Sequence, residues 1–416
     1  MPNETKLNPA PKNHSYSNTV VMICLMIKLK TSAGFRAIQN IILIMSLNTQ
    51  LNCKAPSHST ILRWTKKFGY HQMQKDRDLS GKWVLIIDES VQFGQNKLLV
   101  IYGLRLQDID FTQPLHFHNL VPFTISSKTS WNGDAISQQI EDIKNQVEEV
   151  AYAVADDGNP IRKALNLSGI PHVYDLTHYI ALVLKHIYEN DEVFTAFNQK
   201  MSRMRGSKCL SKVGHIVPPN QRSHSRFMNL KPISDWGMAV LSFLEQYDKT
   251  ECFEEEKAAL KWVEDYRHHI QELAYLNKKI NEIQQLLKSE GICKETICIC
   301  KEKMKDFKAP GLQRFRSKLN EYFDQTKNSL PVHQKILCSS DIIESTFGKY
   351  KNYMQGNPMI GITDLSLSIG AFTGNLEKEE VKQACEENAI KNVQAWSKNN
   401  IAKTAFSKRK ELLKVG

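Results

Sequence analysis

Short apolar runs alternate with amphipathic stretches between residues 82 and 190. A run of four to eight apolar residues between polar ones is typical of a buried strand, and a period of about 3.6 residues indicates a helix. Strands are predicted at 82–88 (KWVLIID), 97–106, 115–125, 150–155 (VAYAVA) and 172–174, and helices at 132–147, 161–167 and 176–190.

These elements follow one another as three strands, a helix, a strand, a helix, a strand and a helix. This is the element order of an RNase H-like fold, so we predict an α/β core of that class. In a mixed α/β sheet, functional residues gather at the carboxyl ends of the strands. Candidate chemistry is therefore sought where the predicted strands end.

Helical periodicity also covers residues 16–70, with short breaks at 32–34 and 52–56. The most apolar part, Val20–Ile27, has about eight apolar residues, far fewer than the ~20 that a membrane-spanning helix needs. It predicts a buried helix. We therefore expect a cytoplasmic protein without a membrane partner.

The end of this helical region, PSHSTILRWTKKFG, predicts a capped basic helix. Ser57 is a suitable N-cap, and Arg63, Lys66 and Lys67 then fall near one exposed face. A short set of helices ending in a basic helix fits a helix-turn-helix, whose second helix enters the major groove of DNA. The alternative is a small helical bundle with a solvated basic face.

Residues 191–335 are predicted to be all-helical, and their first part has an unusual charge pattern. No acidic residue occurs between Val193 and Ser234. On an ordinary solvated surface the two signs of charge are interspersed, so we favour a track that binds the phosphate backbone of DNA. The cations of this segment are Lys200, Arg203, Arg205, Lys208, Lys212, Arg222, Arg226 and Lys231.

The whole chain has the composition of a soluble globular protein. Its 416 residues are 41% hydrophobic and 24% charged, which excludes a wholly disordered chain, a collagen-like fibre and a polytopic membrane protein. Lys and Arg total 55 against 44 for Asp and Glu, giving a net charge of +11. This balance favours a polyanionic partner without identifying it.

Three carboxylates lie where a metal site would need them. Asp88 ends the first strand in LIIDES, Asp156 follows the fourth in AVADDGNP, and Glu344 lies in the predicted helix SSDIIESTFGKYK. Mg²⁺ and Mn²⁺ prefer carboxylate oxygens together with phosphate and water, and two such ions can cleave a phosphodiester. The alternative is that these are common polar residues at strand ends and on a helix.

Together, IIDES, ADDGN and IIESTFGKYK make the chain similar to the DDE transposases of bacterial insertion sequences, in the RNase H-like transposase and integrase superfamily. The family's Asp-x-Gly pattern favours Asp156 over its neighbour Asp157. The resemblance implies that Asp88, Asp156 and Glu344 hold two Mg²⁺ or Mn²⁺ ions for DNA cleavage and strand transfer. It also implies that Lys351, seven residues after Glu344, contacts DNA near the cleaved phosphate.

The resemblance implies double-stranded DNA as the partner, both as terminal inverted repeats and as target, bound by a homodimer or larger assembly associated with the nucleoid. It also suggests a domain layout. We expect an N-terminal helical DNA-binding domain at 1–75, the first part of the core at 82–190 and a helical insertion at 191–335. The core is completed at 336–375 with the catalytic Glu, and 376–416 form a basic helical tail.

Three further residues have two interpretations each. Asp175 and His178 of HVYDLTH are candidate accessory ligands, or His178 contacts DNA; we favour Asp175 as a helix N-cap and His178 as a first-turn residue. Trp236 could stack on an unpaired base, as aromatic residues of the insertion do in some relatives, but tryptophan is more often a packing residue.

The chain also departs from one large transposase group. Counted back from Glu344, Leu337 and Ser340 stand where that group has Tyr and Arg, so the subgroup stays open. Two other functions fit the same motifs. One is a DNA-binding regulator without catalysis, and the other is an RNase H-like nuclease or resolvase without strand transfer.

Overall fold

The computed structural model describes residues 9–49, 53–89, 94–220, 227–247, 251–331, 334–354 and 361–413. The chain divides into two compact units. The first contains the described residues up to Val173 together with those from Ser340 onward, and the second is Tyr174–Ser339. The second unit is thus inserted between two stretches of chain that build the first.

A five-stranded mixed sheet is the centre of the first unit. Its strands are β1 (Lys82–Glu89), β2 (Lys97–Arg105), β3 (Val121–Lys128), β4 (Glu149–Ala155) and β5 (His172–Tyr174), in the order β3-β2-β1-β4-β5. β1 pairs antiparallel with β2 and parallel with β4, and β2 pairs antiparallel with β3. β1 is therefore the central strand, covered by neighbours on both edges.

Alternation of side chains along these strands separates two apolar faces. One face packs on the helices α4 (Gly133–Lys144) and α5 (Asn159–Ser168). Every second residue of β1 lies in that core, and the residues between them, such as Val84 and Ile86, are buried on the opposite face. The strand residues of the first core are Trp83, Leu85, Ile87, Leu99, Ile101, Ala153 and Ala155.

Two helices from beyond residue 340 cover the opposite face of the sheet. They are α13 (Asp341–Met354) and α14 (Leu367–Ala371). The Tyr102 hydroxyl of β2 lies 3.3 Å from Thr346 Oγ1 of α13 and donates to the Ile369 carbonyl of α14 at 3.3 Å. Complete burial raises the pKa of Tyr102, because the phenolate would be desolvated there.

The N-terminal helices α1 (Asn18–Lys30), α2 (Phe35–Asn48) and α3 (His58–Gln74) belong to the same unit as the sheet. The prediction of a buried helix at Val20–Ile27 is confirmed by α1, in which Val20 and Val21 are fully buried. The prediction that Ser57 caps a helix is also confirmed, since its hydroxyl accepts the Thr60 N–H at 3.2 Å.

The exposed basic face predicted for α3 is wrong for two of its three cations. Arg63 is exposed, but Lys66 forms an ion pair with Asp364 at 2.7 Å, and Lys67 donates to the Cys385 carbonyl at 3.0 Å. The physical reason is that α3 packs against α14, against β3 and against the C-terminal helices. Its basic positions are covered by parts of the chain distant in sequence.

The close packing of α3 on α14 depends on glycine. A Cβ atom on Gly69 would lie 1.8 Å from the Leu367 carbonyl oxygen, and one on Gly370 would lie 2.8 Å from the Gly69 carbonyl oxygen. Such distances are impossible for real atoms, so the two helix backbones touch only because both side chains are absent.

The C-terminal residues pack as part of the first unit and form α15 (Lys378–Glu387), α16 (Ile390–Asn400) and α17 (Ala405–Leu412). α15 contacts α1 and α3, and the chain after α16 runs beside β3, where the Ala402 N–H donates to the Ser127 carbonyl at 3.2 Å. Residues beyond the predicted tail boundary therefore contribute to the packing of the sheet.

The described residues of the second unit form helices apart from one isolated bridge between Ile292 and Ile336. None of the helices in the described part of the chain is long and apolar enough to cross a membrane. The helices of the second unit are α6 (Leu176–Tyr188), α7 (Glu192–Lys208), α8 (Lys231–Tyr247), α9 (Glu254–Leu260), α10 (Arg267–Glu290), α11 (Lys294–Lys303) and α12 (Pro310–Ser329).

Candidate active site

Two of the three predicted carboxylates follow paired residues of neighbouring strands at the carboxyl end of the sheet. Ile87 of β1 and Ala155 of β4 are paired in the parallel ladder, and the next residue of each chain segment is Asp88 and Asp156. Neighbouring strands lie about 4.8 Å apart, and paired residues of parallel strands point to the same face. The register therefore brings together two carboxylates separated by 68 residues of sequence.

The pleat assigns Asp88 to the face that α13 covers, whereas Asp156 lies one residue beyond the end of β4. Ile87 belongs to the core beneath α4 and α5, so Asp88, which is still within β1, points to the other side. Val100, the partner of Asp88 on β2, lies two residues before Tyr102, which contacts α13. Asp88 and Asp156 are both half-buried.

Asp156 is fixed by the turn that follows it. Its Oδ1 accepts the backbone N–H of Gly158 at 3.2 Å, and Gly158 is the N-cap of α5. A Cβ atom on residue 158 would itself lie 3.2 Å from Asp156 Oδ1, tighter than nine in ten real Cβ contacts. A larger residue at this position would therefore require the carboxylate to move by a few tenths of an ångström.

Asp157 is used differently. Its Oδ2 pairs with the Arg162 guanidinium at 3.1 Å, and that arginine extends from the exposed side of α5. Asp156 directly follows β4, and Asp157 is paired with an exposed arginine of α5. The choice of Asp156 over Asp157 as the second carboxylate stays a prediction.

Glu344 is an exposed residue in the first turn of α13. Its neighbour Ile343 and the following Thr346 and Phe347 are buried and attach the helix to the sheet. Lys351, two turns further on, is half-buried. α13 thus packs on this face of the sheet through its buried residues, and Glu344 lies on the exposed side of the helix.

The donor atoms in this region fit a hard divalent cation, since they are carboxylate oxygens at one end of the sheet. However, in the ranges that the structure describes, no group of three or more His, Cys, Asp and Glu side chains is arranged to hold a metal ion. The register thus accounts for a pair, Asp88 and Asp156, and Glu344 is the residue on the covering helix that could complete it.

Two residues near this pair were missed by the sequence argument. A ring nitrogen of His172 on β5 lies 3.3 Å from the carbonyl of Ala155, the residue before Asp156. Lys97 of β2 forms an ion pair with Glu89, the residue after Asp88. Neither residue belongs to a sequence motif. The position of β5 beside β4, and of β2 beside β1, is the signal that would have placed His172 and Lys97 near the two aspartates.

Asp175 and His178 belong to the second unit. Asp175 is 1% exposed and is the N-cap of α6, where its Oδ1 accepts the His178 N–H at 2.9 Å. His178 Nδ1 lies 3.2 Å from the same oxygen. The capping interpretation is confirmed, and an accessory role for the two residues stays a prediction.

Trp236 packs inside the second unit. Its indole N–H donates to the Ile216 carbonyl at 3.1 Å, and its ring lies 6.2 Å from that of Trp262, centroid to centroid. The ring is half-buried in these contacts. This arrangement fits the packing interpretation, and stacking on a base stays a prediction.

The cations of the acid-free segment are partly neutralised by acids from later in the chain. Lys200 pairs with Asp265 at 3.3 Å, Lys212 with Glu255 at 3.9 Å, and Lys231 with Asp235. Asp265 and Glu255 come from helices later in the chain, and Asp235 lies on the same helix as Lys231, so part of the positive charge of this segment is compensated. The phosphate-binding track stays a prediction.

The remaining cations of this segment differ in exposure. Arg205 donates to the Pro218 carbonyl at 2.7 Å, whereas Arg203 and Lys208 are exposed on α7. Arg222 and Arg226, also predicted to bind DNA, lie outside the described residues. Among the cations on α7, Arg203 and Lys208 are the exposed ones.

No family model matches the chain, and no curated protein matches it. Among solved structures, it is similar to the Drosophila P element transposase strand transfer complex, with 14% sequence identity and a TM-score of 0.43. The match covers 89% of this chain and 93% of that one. A likeness of this degree identifies neither the fold nor the function of the chain.

Proposed function

We propose that this protein is a DNA transposase with an RNase H-like core, whose Asp88, Asp156 and Glu344 bind divalent metal ions for strand cleavage and transfer. One observation supports the proposal: Ile87 and Ala155 are paired in the parallel ladder, and Asp88 and Asp156 are the next residues of the two chain segments. A mixed sheet in the order β3-β2-β1-β4-β5, with β1 parallel to β4, supports the RNase H-like assignment.

In this proposal the two aspartates form the fixed part of the site. β1 and β4 hold them rigidly because both strands are buried in the centre of the sheet, and Gly158 orients the Asp156 carboxylate. Two bound Mg²⁺ or Mn²⁺ ions would activate the attacking oxygen and stabilise the leaving oxygen of an in-line displacement. Glu344 completes the set from α13, which contacts β1.

Double-stranded DNA is the proposed substrate, as element ends and as target. Lys351 on α13 and the exposed Arg203, Lys208 and Arg63 are the proposed phosphate contacts, since exposed cations can release counterions from DNA. Lys66 and Lys67 are not included, because both are engaged within the first unit. Pairing of two DNA ends would require a homodimer or a larger assembly, and an insertion-sequence origin stays part of the proposal.

A second candidate is a DNA-binding protein without catalysis. The observation that favours it is that no three metal-ligating side chains are arranged to hold a cation in the described part of the chain. The two candidates share the basic surface and differ only in the chemistry of the carboxylates. A nuclease without strand transfer is the intermediate case.

The test uses the purified full chain, Mn²⁺ and a supercoiled plasmid carrying the genomic DNA that flanks the reading frame. The proposal expects nicked and then joined products with the wild type, and none with Asp88→Asn. The matched control is Asp108→Asn, which changes an exposed aspartate after β2 and should retain full activity. Binding without nicking would favour the non-catalytic protein, and nicking without joined products would favour the nuclease.

A further inference from the structure

A cavity of about 260 Å³ lies in the first unit between α1, α13 and the segment that follows α14. Its ionisable lining residues are all bases, and no carboxylate lines it. Two phenylalanines also line the cavity. The ionisable and aromatic residues of its lining are Lys30, His116, Phe117, His118, Lys349 and Phe372.

Lys349 is the central cation of this cavity. Its Nζ lies 4.1 Å from the ring centroid of Phe117 and 5.3 Å from that of Phe372. Partial burial lowers the pKa of Lys349, because the ammonium group loses hydration. Within the described ranges no carboxylate forms an ion pair with it, so an anion from outside would be the first to compensate its charge.

The aromatic wall is preformed. The rings of Phe117 and Phe372 lie 5.9 Å apart, and those of His116 and His118 are stacked 5.4 Å apart with an angle of 12° between their planes. His116 is held by a capping box, in which its own N–H donates to Asn119 Oδ1 at 2.9 Å. The Lys349 ammonium covers one face of Phe117 and Phe372 is 7% exposed, so a planar group stacks on these rings once Lys349 swings aside.

We propose that this cavity binds one nucleoside phosphate, with the base against Phe117 and Phe372 and the phosphate near Lys349, Lys30 and the two histidines. Aromatic side chains stack on bases irrespective of sequence, and cations bind the attached phosphate. The volume is just below the range of roughly 300–1,000 Å³ that drug-sized ligands occupy, so it accommodates a single nucleotide rather than a longer segment.

The nucleotide could be an unpaired residue of a DNA strand or a free nucleotide. Since Lys349 and Glu344 are on the same helix, α13, an unpaired nucleotide next to the cleaved strand is the source we expect. That choice of source rests on the proposed function. The binding chemistry does not, because it follows from the lining of the cavity alone.

The experiment measures equilibrium binding to the full chain without divalent metal, using three probes. These are a fluorescent blunt DNA duplex, the same duplex with a three-nucleotide single-stranded end, and deoxyadenosine monophosphate as a competitor. The variants are Phe117→Ala and Lys349→Ala, and the control is Lys391→Ala, which removes an exposed lysine of α16.

We expect both cavity variants to weaken binding of the overhanging duplex about tenfold. Blunt-duplex affinity should change less than twofold, and the control variant should match the wild type. Weaker binding of the monophosphate with no change for the overhang would assign the site to a free nucleotide. Equal binding of all probes by variants and control would overturn the proposal.

Two further results distinguish loss of folding, and failure of the proposed function, from failure of the nucleotide site. If Phe117→Ala lowers the thermal unfolding midpoint by more than a few degrees, the decision rests on Lys349→Ala, whose side chain is half-buried. If the chain binds no blunt duplex at all, yet the cavity variants lose the monophosphate, the proposed function fails while the nucleotide site stands.

Discussion

Asp156 Oδ1 accepts the backbone N–H of Gly158 at 3.2 Å, within the turn that joins β4 to α5. We expect Gly158→Ala to displace this carboxylate, because the added Cβ would lie 3.2 Å from the same oxygen. The required shift is smaller than the ~1 Å misplacement that can cost about 100-fold in rate, so we expect a loss of rate below 100-fold. The measurement is the rate of Mn²⁺-dependent nicking, with far-ultraviolet circular dichroism to verify folding. The matched control is Gly348→Ala, which has open space around it; unchanged nicking by Gly158→Ala would contradict the assignment.

Asp156 and Asp157 should respond differently to the same substitution. Asp156→Asn should abolish nicking, because an amide cannot replace an anionic metal ligand, and should leave duplex affinity nearly unchanged. Asp157→Asn removes only the partner of Arg162, a half-exposed ion pair, and should retain most activity. A nicking assay and a binding titration on both variants check this. Loss of activity in Asp157→Asn alone would exchange their roles.

The contact of α3 with α14 should tolerate no side chain at residue 69. Gly69→Ala places a Cβ 1.8 Å from the Leu367 carbonyl oxygen, so the helices must separate. We expect a loss of at least ~1–3 kcal/mol in the free energy of unfolding, the usual cost of overpacking. Urea denaturation measures it. Gly348→Ala, in an open helical position, should instead be neutral or stabilising.

Lys28 is 2% exposed, so its ammonium group is buried where α1 packs against α13. Its Nζ donates to the Ala33 carbonyl at 3.1 Å and lies 3.3 Å from the ring centroid of Tyr353. Burial lowers the pKa of Lys28 to about 8. Between that pKa and the ordinary value of 10.5 the unfolded chain binds more protons, so this group adds stability as pH rises.

We therefore expect the difference in unfolding free energy between Lys28→Met and the wild type to depend on pH. Below pH 8 the wild type bears the full cost of the buried charge, and this cost disappears as pH rises from 8 to 10.5. Denaturation of both proteins across this range measures the change. Lys391→Met, at an exposed position, is the control, and an invariant difference would contradict the assignment.

The salt dependence of DNA binding should separate the exposed from the paired cations of α7 and α8. Arg203→Ala and Lys208→Ala should each reduce the slope of log affinity against log salt by about one, since each removes a phosphate contact. Lys231→Ala should change it less, because that lysine is paired with Asp235. Identical slopes for all three variants would count against a phosphate track on α7.

The strands of the core were predictable because each is a short apolar run with polar ends. The observed β1, β4 and β5 differ from the predicted segments by at most one residue at either end. The third strand was placed too early: residues 117–119 form a short 3₁₀ helix, and β3 begins at Val121. The alternation in LHFHN suggested a strand, but the capping box of His116 and Asn119 closes a turn there.

What the sequence could not provide was the effect of chain segments that meet only after folding. The basic positions of α3 seemed exposed because the segment that covers Lys66, near Asp364, is about 300 residues away. The acid-free segment seemed unbalanced because Asp265 and Glu255 are contributed by later helices. Motif spacing could select Asp88 and Asp156, whereas their proximity depends on strand register.

The division of the first unit between two chain segments has a consequence for synthesis on the ribosome. Glu344 is translated 188 residues after Asp156, and at roughly 5–20 residues per second this takes about 10–40 seconds. During that interval the nascent sheet lacks α13 and α14, which cover its second apolar face. A message truncated within the insertion would yield a chain with both aspartates, no third carboxylate and a bare hydrophobic surface, a substrate for chaperones and proteases rather than a partly active enzyme.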